Sequence, residues 1–181
     1  MKPIRKLLAF ALVLGMALSL PVLAAKTGLE NFQPGRSYPA GKFTDVPDTS
    51  WYAENVKSAY ELGLVEGLTE NTFSPAGTIT LAQTVALAAR LHSIYHTGEA
   101  NFTQGSPWYQ VYVDYAVANG IISANSYSNY NAAATRSQFA AILSGSLPDE
   151  ALEAINTVDD GMIPDVPEGA ANYDAIYRLY R

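Results

Sequence analysis

The chain has 181 residues, a net charge of −6 and no cysteine. So acidic a chain has no electrostatic footprint for DNA or RNA, and without thiols it has no disulfide, thiolate metal site or cysteine nucleophile. Its stability has to come from packed apolar surface.

Residues 1–24 read as a secretory signal peptide. Lys2, Arg5 and Lys6 precede an apolar run from Leu7 to Leu20, Pro21 breaks it, and Val22-Leu23-Ala24 offers suitable residues before the cut. The run is short of the ~18–20 residues that span a bilayer, so no membrane insertion is expected after cleavage. The signal takes three bases and no acid with it. The remaining 157 residues therefore carry 8 Lys/Arg against 17 Asp/Glu, a net charge of −9.

Residues 25–42 hold Gly28, Pro34, Gly35, Pro39 and Gly41 and read as an extended linker, with Tyr38 pinned to the domain. A first unit occupies 43–97. From Ser50 to Leu62 the apolar residues Tyr52, Val56, Ala59 and Tyr60 share one helical face, and Gly63 stands where a left-handed cap is needed. A Gly/Pro-rich loop comes next, anchored by Phe73. Thr80-Leu81-Ala82-Gln83 then forms a capping box and opens a helix to about Tyr95, with Leu87 and Leu91 as its most apolar positions.

The same programme recurs over 98–147. Ser106 is expected as an N-cap with Pro107 at the first helical position. Tyr109, Val113, Ala116, Val117, Gly120 and Tyr130 each fall 57 residues after Tyr52, Val56, Ala59, Tyr60, Gly63 and Phe73. A second capping box, Thr135-Arg136-Ser137-Gln138, falls 55 residues after Thr80. Residues 148–162 are a connector with a short helix over Pro148–Asn156 that turns Leu152 and Ile155 inward. Over 163–181 a third unit begins: Asp165-Val166-Pro167 and Ile176 lie 120 residues after Asp45-Val46-Pro47 and Val56. That unit is incomplete, so Tyr173, Ile176, Leu179 and Tyr180 either pack on the first two units or await a partner. Asp45 and Asp165 read as local turn-formers.

With Phe43-Thr44-Asp45-Val46, Trp51, Gly63, Gly67, Phe73, Pro75 and Ile79-Thr80-Leu81-Ala82-Gln83 in order, the chain resembles the S-layer homology family. The second unit repeats the pattern as Trp108, Gly120, Tyr130 and Ala134-Thr135-Arg136-Ser137-Gln138. The resemblance covers about residues 43–181. It implies an all-α fold of repeated helix–loop–helix units in a pseudo-threefold bundle, here with the third unit incomplete. It also implies a secreted, cell-surface protein anchored non-covalently to bacterial cell-wall polysaccharide, an acidic and pyruvylated one. In that family the motif arginine helps bind the glycan in grooves between units.

Arginine suits an acidic sugar, because its planar fork pairs with a carboxylate and the first turn of a helix favours an anion. Arg136 is thus the leading glycan-binding candidate, with Thr135 and Gln138 beside it. The bland alternative is an exposed arginine tethered to a neighbouring carboxylate. Leu81 replaces this arginine in the first unit, and Ala124 and Ala171 replace Gly67 and the two tryptophans at the matching positions, so one competent groove and degraded others are expected. Trp51 and Trp108 suit stacking on sugars, although packing beneath their own loops is the commoner fate of tryptophan.

His92 and His96 stand four apart but lack a third ligand, and Asp159-Asp160-Gly161 is too short for a calcium loop. No nucleophile or phosphate-loop motif is present, so no enzyme, cofactor or metal is expected. The alternative to wall anchoring is a secreted helical repeat that makes protein–protein contacts over a decayed glycan site.

Overall fold

Two capping boxes start the helices that carry the core. At the first, Gln83 N–H donates to Thr80 Oγ1 at 3.2 Å and Thr80 N–H donates to Gln83 Oε1 at 2.8 Å. At the second the same pair of bonds joins Thr135 and Gln138, at 3.1 and 2.9 Å. Each box satisfies two backbone donors that the first turn leaves without partners, which is worth about 1 kcal/mol. The computed structural model describes residues 28–181, and the signal peptide assigned to 1–24 lies outside the described residues.

Among the described residues the fold is all-α. It has α1 (Ala53–Glu61), α2 (Leu81–Thr97), α3 (Gln110–Ala118), α4 (Arg136–Ser144) and α5 (Tyr173–Tyr180). Short 3-10 turns lie at Leu29–Asn31 and Asp149–Leu152, and a β-bridge pairs Thr80 with Ala133. Helix α2 packs against α3, α4 and the first 3-10 turn, and α4 packs against α5. The second helix of one unit therefore lies on the first helix of the next.

Helix α2 is the centre of the molecule. Leu87 and Leu91, its most apolar positions in sequence, are only half-buried, whereas Ala82, Thr84, Val85, Ala86, Ala88 and Ala89 are buried. A helix covered on several sides needs small residues so that its neighbours approach closely. Against it pack Tyr112, Val113 and Ala116 of α3 and Ile142 of α4, with Ile121 and Ile122 from the loop after α3. Gly98, with φ +80°, ends α2 in a left-handed cap whose N–H reaches Ile94 O.

Two smaller clusters flank this core. Phe43, Val46 and Val56 form one, with Tyr38, Tyr60 and Phe73 against it. Tyr38 meets Phe43 and Tyr60 edge-on at 5.8 and 5.7 Å, as its expected pinning required. Ile163, Val166 and Tyr177 form the other. Ile163 and Val166 repeat Phe43 and Val46, but Tyr177 rather than Ile176 fills the third place, because its hydroxyl also accepts from Ile163 N–H at 3.0 Å.

Four local expectations differ from the structure. Helix α3 starts at Gln110 with Tyr109 before it and no side-chain cap, so Ser106 does not cap it, and the Ser106–Pro107 peptide is cis. The connector holds only the 3-10 turn, and Ile155, expected inward, is 90% exposed. Residues 28–42 are not a free linker. Gly28 N–H donates to Tyr95 O at 2.8 Å and Gly35 N–H to Glu61 O at 2.9 Å, which ties the segment to the ends of α2 and α1.

Asp45, read as a local turn-former, instead reaches across its unit. Phe73 N–H donates to its Oδ1 at 2.8 Å and Ser74 N–H to its Oδ2 at 2.6 Å. The Phe73 bond above all holds its carboxyl below the ordinary value of 3.8. A depressed carboxyl contributes stability that is full above the unfolded-state value and is lost as pH falls through the folded-state one. The melting temperature is therefore expected to drop as pH falls from about 3.8. Asp45→Asn should melt lower at neutral pH and show less of that acid slope. Equal slopes in the two proteins would remove Asp45 as the cause.

Candidate functional site

Loop 64–79 of the first unit stands off from α2 and leaves a groove of ≈ 590 Å³, closed on its far side by Gln104 and Trp108 of the second unit. Ala86 and Leu87 of α2 make an apolar floor, and Gln83 stands at one end. The loop can pass this close to Phe43 because residue 67 is glycine with φ +90°; a Cβ there would lie 2.5 Å from the Phe43 ring. Trp108 sits at the rim, 38% exposed, edge-on to Tyr109 and Tyr112. An apolar floor, a half-exposed indole and a few amides form a surface suited to the faces and hydroxyls of a sugar.

The groove also contains a buried cation. Arg90 rises from α2 with its side chain only 10% exposed and pairs with Glu66 Oε1 at 3.1 Å. Its Nη2 donates to Tyr112 Oη at 2.7 Å, its Nη1 to Leu64 O at 3.4 Å, and its Cζ lies 5.0 Å from the centre of the Tyr112 ring. Gln104 Nε2 also donates to Tyr112 Oη, at 3.2 Å. Arg36 approaches the same Glu66 oxygen at 3.6 Å. One carboxylate is thus held between two arginines on the groove wall.

The residues singled out in the sequence are not brought together. Arg136 begins α4 on the exposed side, away from the groove, and its Nη2 donates to Tyr180 Oη of α5 at 3.1 Å. Among the described residues it makes no ion pair, so a tether to a neighbouring carboxylate is not what holds it. Beside it, Ser137 Oγ donates to Ala171 O at 3.2 Å and Asn172 Nδ2 donates to Ser137 Oγ at 2.9 Å. Thr135 Oγ1 and Gln138 Oε1 are occupied by the capping box, which leaves the Gln138 amide N–H₂ as that residue's outward donor. Trp108 lies in the groove. Trp51 lies outside it, 87% exposed and touching Tyr52 edge-on at 5.5 Å. The expectation that Trp51 packs beneath its own loop is therefore corrected: Tyr52, one residue on, takes the inward direction towards Phe43 and Val56.

Leu81, in the place of Arg136, is 4% exposed. The loop of the second unit covers it: Leu81 N–H donates to Ala132 O at 2.9 Å and Ala82 N–H to Tyr130 O at 2.8 Å. The same motif position is thus core in one unit and surface in the other.

Arg90 and Glu66 were not singled out in the sequence. The available signal was a lone charge between Ala89 and Leu91 in an apolar helix, which periodicity alone does not separate from a solvent-facing arginine. His92 and His96 stack with ring centres 4.3 Å apart, and His92 Nδ1 bonds Tyr115 Oη at 2.9 Å. Burial, and then the neighbouring His96, hold the His92 pKa below the ordinary imidazole value. Among the described residues no helix is long and apolar enough to cross a membrane.

The family model of the S-layer homology domain matches residues 42–85. That span contains α1, the groove-lining loop and the start of α2. A surface-layer 125 kDa protein of Lysinibacillus sphaericus is 30% identical over 126 residues, which is 65% of this chain and 10% of that protein. An endoglucanase of Bacillus sp. (strain KSM-635) is 30% identical over 146 residues, 78% of this chain and 15% of its own. An amylopullulanase of Thermoanaerobacterium thermosulfurigenes is 30% identical over 119 residues, 60% of this chain and 6% of its own. The chain thus spans a small part of the length of the relatives it matches. No solved structure matches.

Proposed function

We propose, because the S-layer homology domain model matches residues 42–85, that this is a secreted protein held non-covalently at the bacterial cell surface by cell-wall polysaccharide, an acidic, pyruvylated one. The observation that carries this reading is the groove between the first two units, with an apolar floor, Trp108 at its rim and an arginine in its wall. Arg136 supplies a second, exposed contact at the start of α4, where the helix N-terminus suits a carboxylate on a sugar and the Tyr180 hydroxyl, accepting from Arg136, keeps its proton to donate. Anchoring requires no catalytic centre, and the similarity to the endoglucanase and the amylopullulanase covers only 15% and 6% of those proteins.

The test is co-sedimentation with purified cell walls, with and without their acidic polysaccharide. The protein is expected to pellet with the intact walls and stay in solution with the stripped ones. Arg136→Ala should weaken pelleting by about 1.5–3 kcal/mol, the range for a charge-assisted contact. Equal pelleting of wild type and Arg136→Ala would remove Arg136 from the site. The second reading, protein–protein contact over a decayed glycan site, is favoured by one observation, the almost fully exposed Trp51. It predicts that pelleting survives loss of the polysaccharide and fails in Trp51→Ala.

A further inference from the structure

Resting on the wall-polysaccharide reading, we infer that Arg90 is the anion contact of the groove and that Glu66 is an internal carboxylate that occupies it until an acidic ligand displaces it. Arg90 is unusually well prepared for this role. The Tyr112 hydroxyl and the Leu64 carbonyl fix its guanidinium, and the Tyr112 ring supports its face, before any ligand arrives. A guanidinium already oriented in a groove loses little freedom when it pairs with a carboxylate.

Glu66 is differently placed. Its side chain is half-exposed on the loop, and it pairs with Arg90 and, more loosely, with Arg36. Two arginines facing one carboxylate leave a local charge of +1 in a strongly acidic chain. An incoming sugar carboxylate can replace Glu66 on Arg90 while Glu66 turns outward and keeps Arg36. The buried cation is never left unpaired, which is the costly state. A neutral sugar has no group to make the exchange, so the device discriminates by charge. The second unit does not repeat it: the positions equivalent to Arg90 and Glu66 there are Gly145 and Ser123.

The experiment is co-sedimentation of wild type, Glu66→Gln and Glu54→Gln with intact and polysaccharide-stripped walls. Glu66→Gln keeps the shape and removes the competing charge, so it should pellet with intact walls at roughly tenfold lower wall concentration and behave as wild type with stripped walls. Glu54→Gln makes the same change in net charge at a carboxylate that pairs with Lys57 outside the groove, and should behave as wild type throughout. If Glu66 merely braces the loop, Glu66→Gln will bind no better or worse than wild type, which overturns the exchange. An equal gain in Glu54→Gln overturns it too. Failure of all three proteins to pellet counts against the wall reading itself. The exchange is then read separately by titrating oligogalacturonate against the Arg90 Nε–H resonance. That resonance should move at lower concentration in Glu66→Gln than in wild type, and an unmoved signal overturns the proposal.

Discussion

Leu81→Arg, which restores the motif arginine to the first unit, is expected to destabilise the protein by about 3–5 kcal/mol and to add no binding. Leu81 is buried beneath the loop that carries Tyr130 and Ala132, among Val85, Ile122 and Ile142. Arginine there loses the packing of the leucine and brings a guanidinium into an apolar site with no carboxylate partner. Against a typical total of 5–15 kcal/mol the loss is large, and with a urea slope of about 1–3 kcal/mol/M it should move the unfolding midpoint by more than 1 M. The reciprocal change, Arg136→Leu, sits on the surface and should cost less than about 0.5 kcal/mol. The pair of variants separates the two duties of one motif position. An unshifted midpoint in Leu81→Arg would show that the side chain escapes to solvent and that the loop over it is loosely held.

Gly67→Ala is expected to cost about 2–4 kcal/mol and to weaken wall binding with it. Two effects add at this position. The backbone has φ +90°, which a residue with a Cβ adopts only under strain. The added carbon would also lie 2.5 Å from Phe43 Cε1 and 2.9 Å from Thr72 O. Phe43 is buried and held by Tyr38, Tyr60 and Phe73, and Thr72 O already accepts from Leu68 N–H at 2.8 Å, so neither neighbour yields freely. For a chain of this size a fall of about 5–12 °C in melting temperature is expected. The groove wall moves with the loop, so the wall-pelleting assay should report a loss as well. The second unit carries Ala124 at the equivalent place, and there the left-handed conformation falls on Asn125, with φ +61°. Ala124→Gly should therefore change stability by no more than about 1 kcal/mol. Similar melting temperatures for Gly67→Ala and wild type would mean that the first loop can shift its turn by one residue in the same way.

These outcomes depend on features of two kinds. The capping boxes at Thr80 and Thr135, the left-handed glycines at 63 and 120, and the loop anchors Phe73 and Tyr130 were legible in the sequence. Each depends on a backbone requirement satisfied within a few residues or on a spacing that repeats. The bonds of Asp45 to the loop at Phe73 and Ser74 were not legible, because their partners lie 28 and 29 residues away. Nor was the turn of Trp51 out to solvent, since a helix start can aim either of two adjacent aromatic residues inward.

The sequence by itself determined that helices form, where the two capped ones, α2 and α4, begin, and that one pattern of helix, glycine, loop and capped helix recurs with its motif arginine kept once. Tertiary structure decided what each motif position is for. The second unit's loop closes over the first capping box and turns Leu81 into core, while the second box, at Arg136, stays open beside Tyr180. The same packing brings loop 64–79, α2 and α3 together, so that Arg90, Glu66 and Tyr112 meet in one groove. Local hydrogen bonding sets the start of a helix from a few residues, but burial is set by what the rest of the chain lays on top, and the two boxes are covered differently.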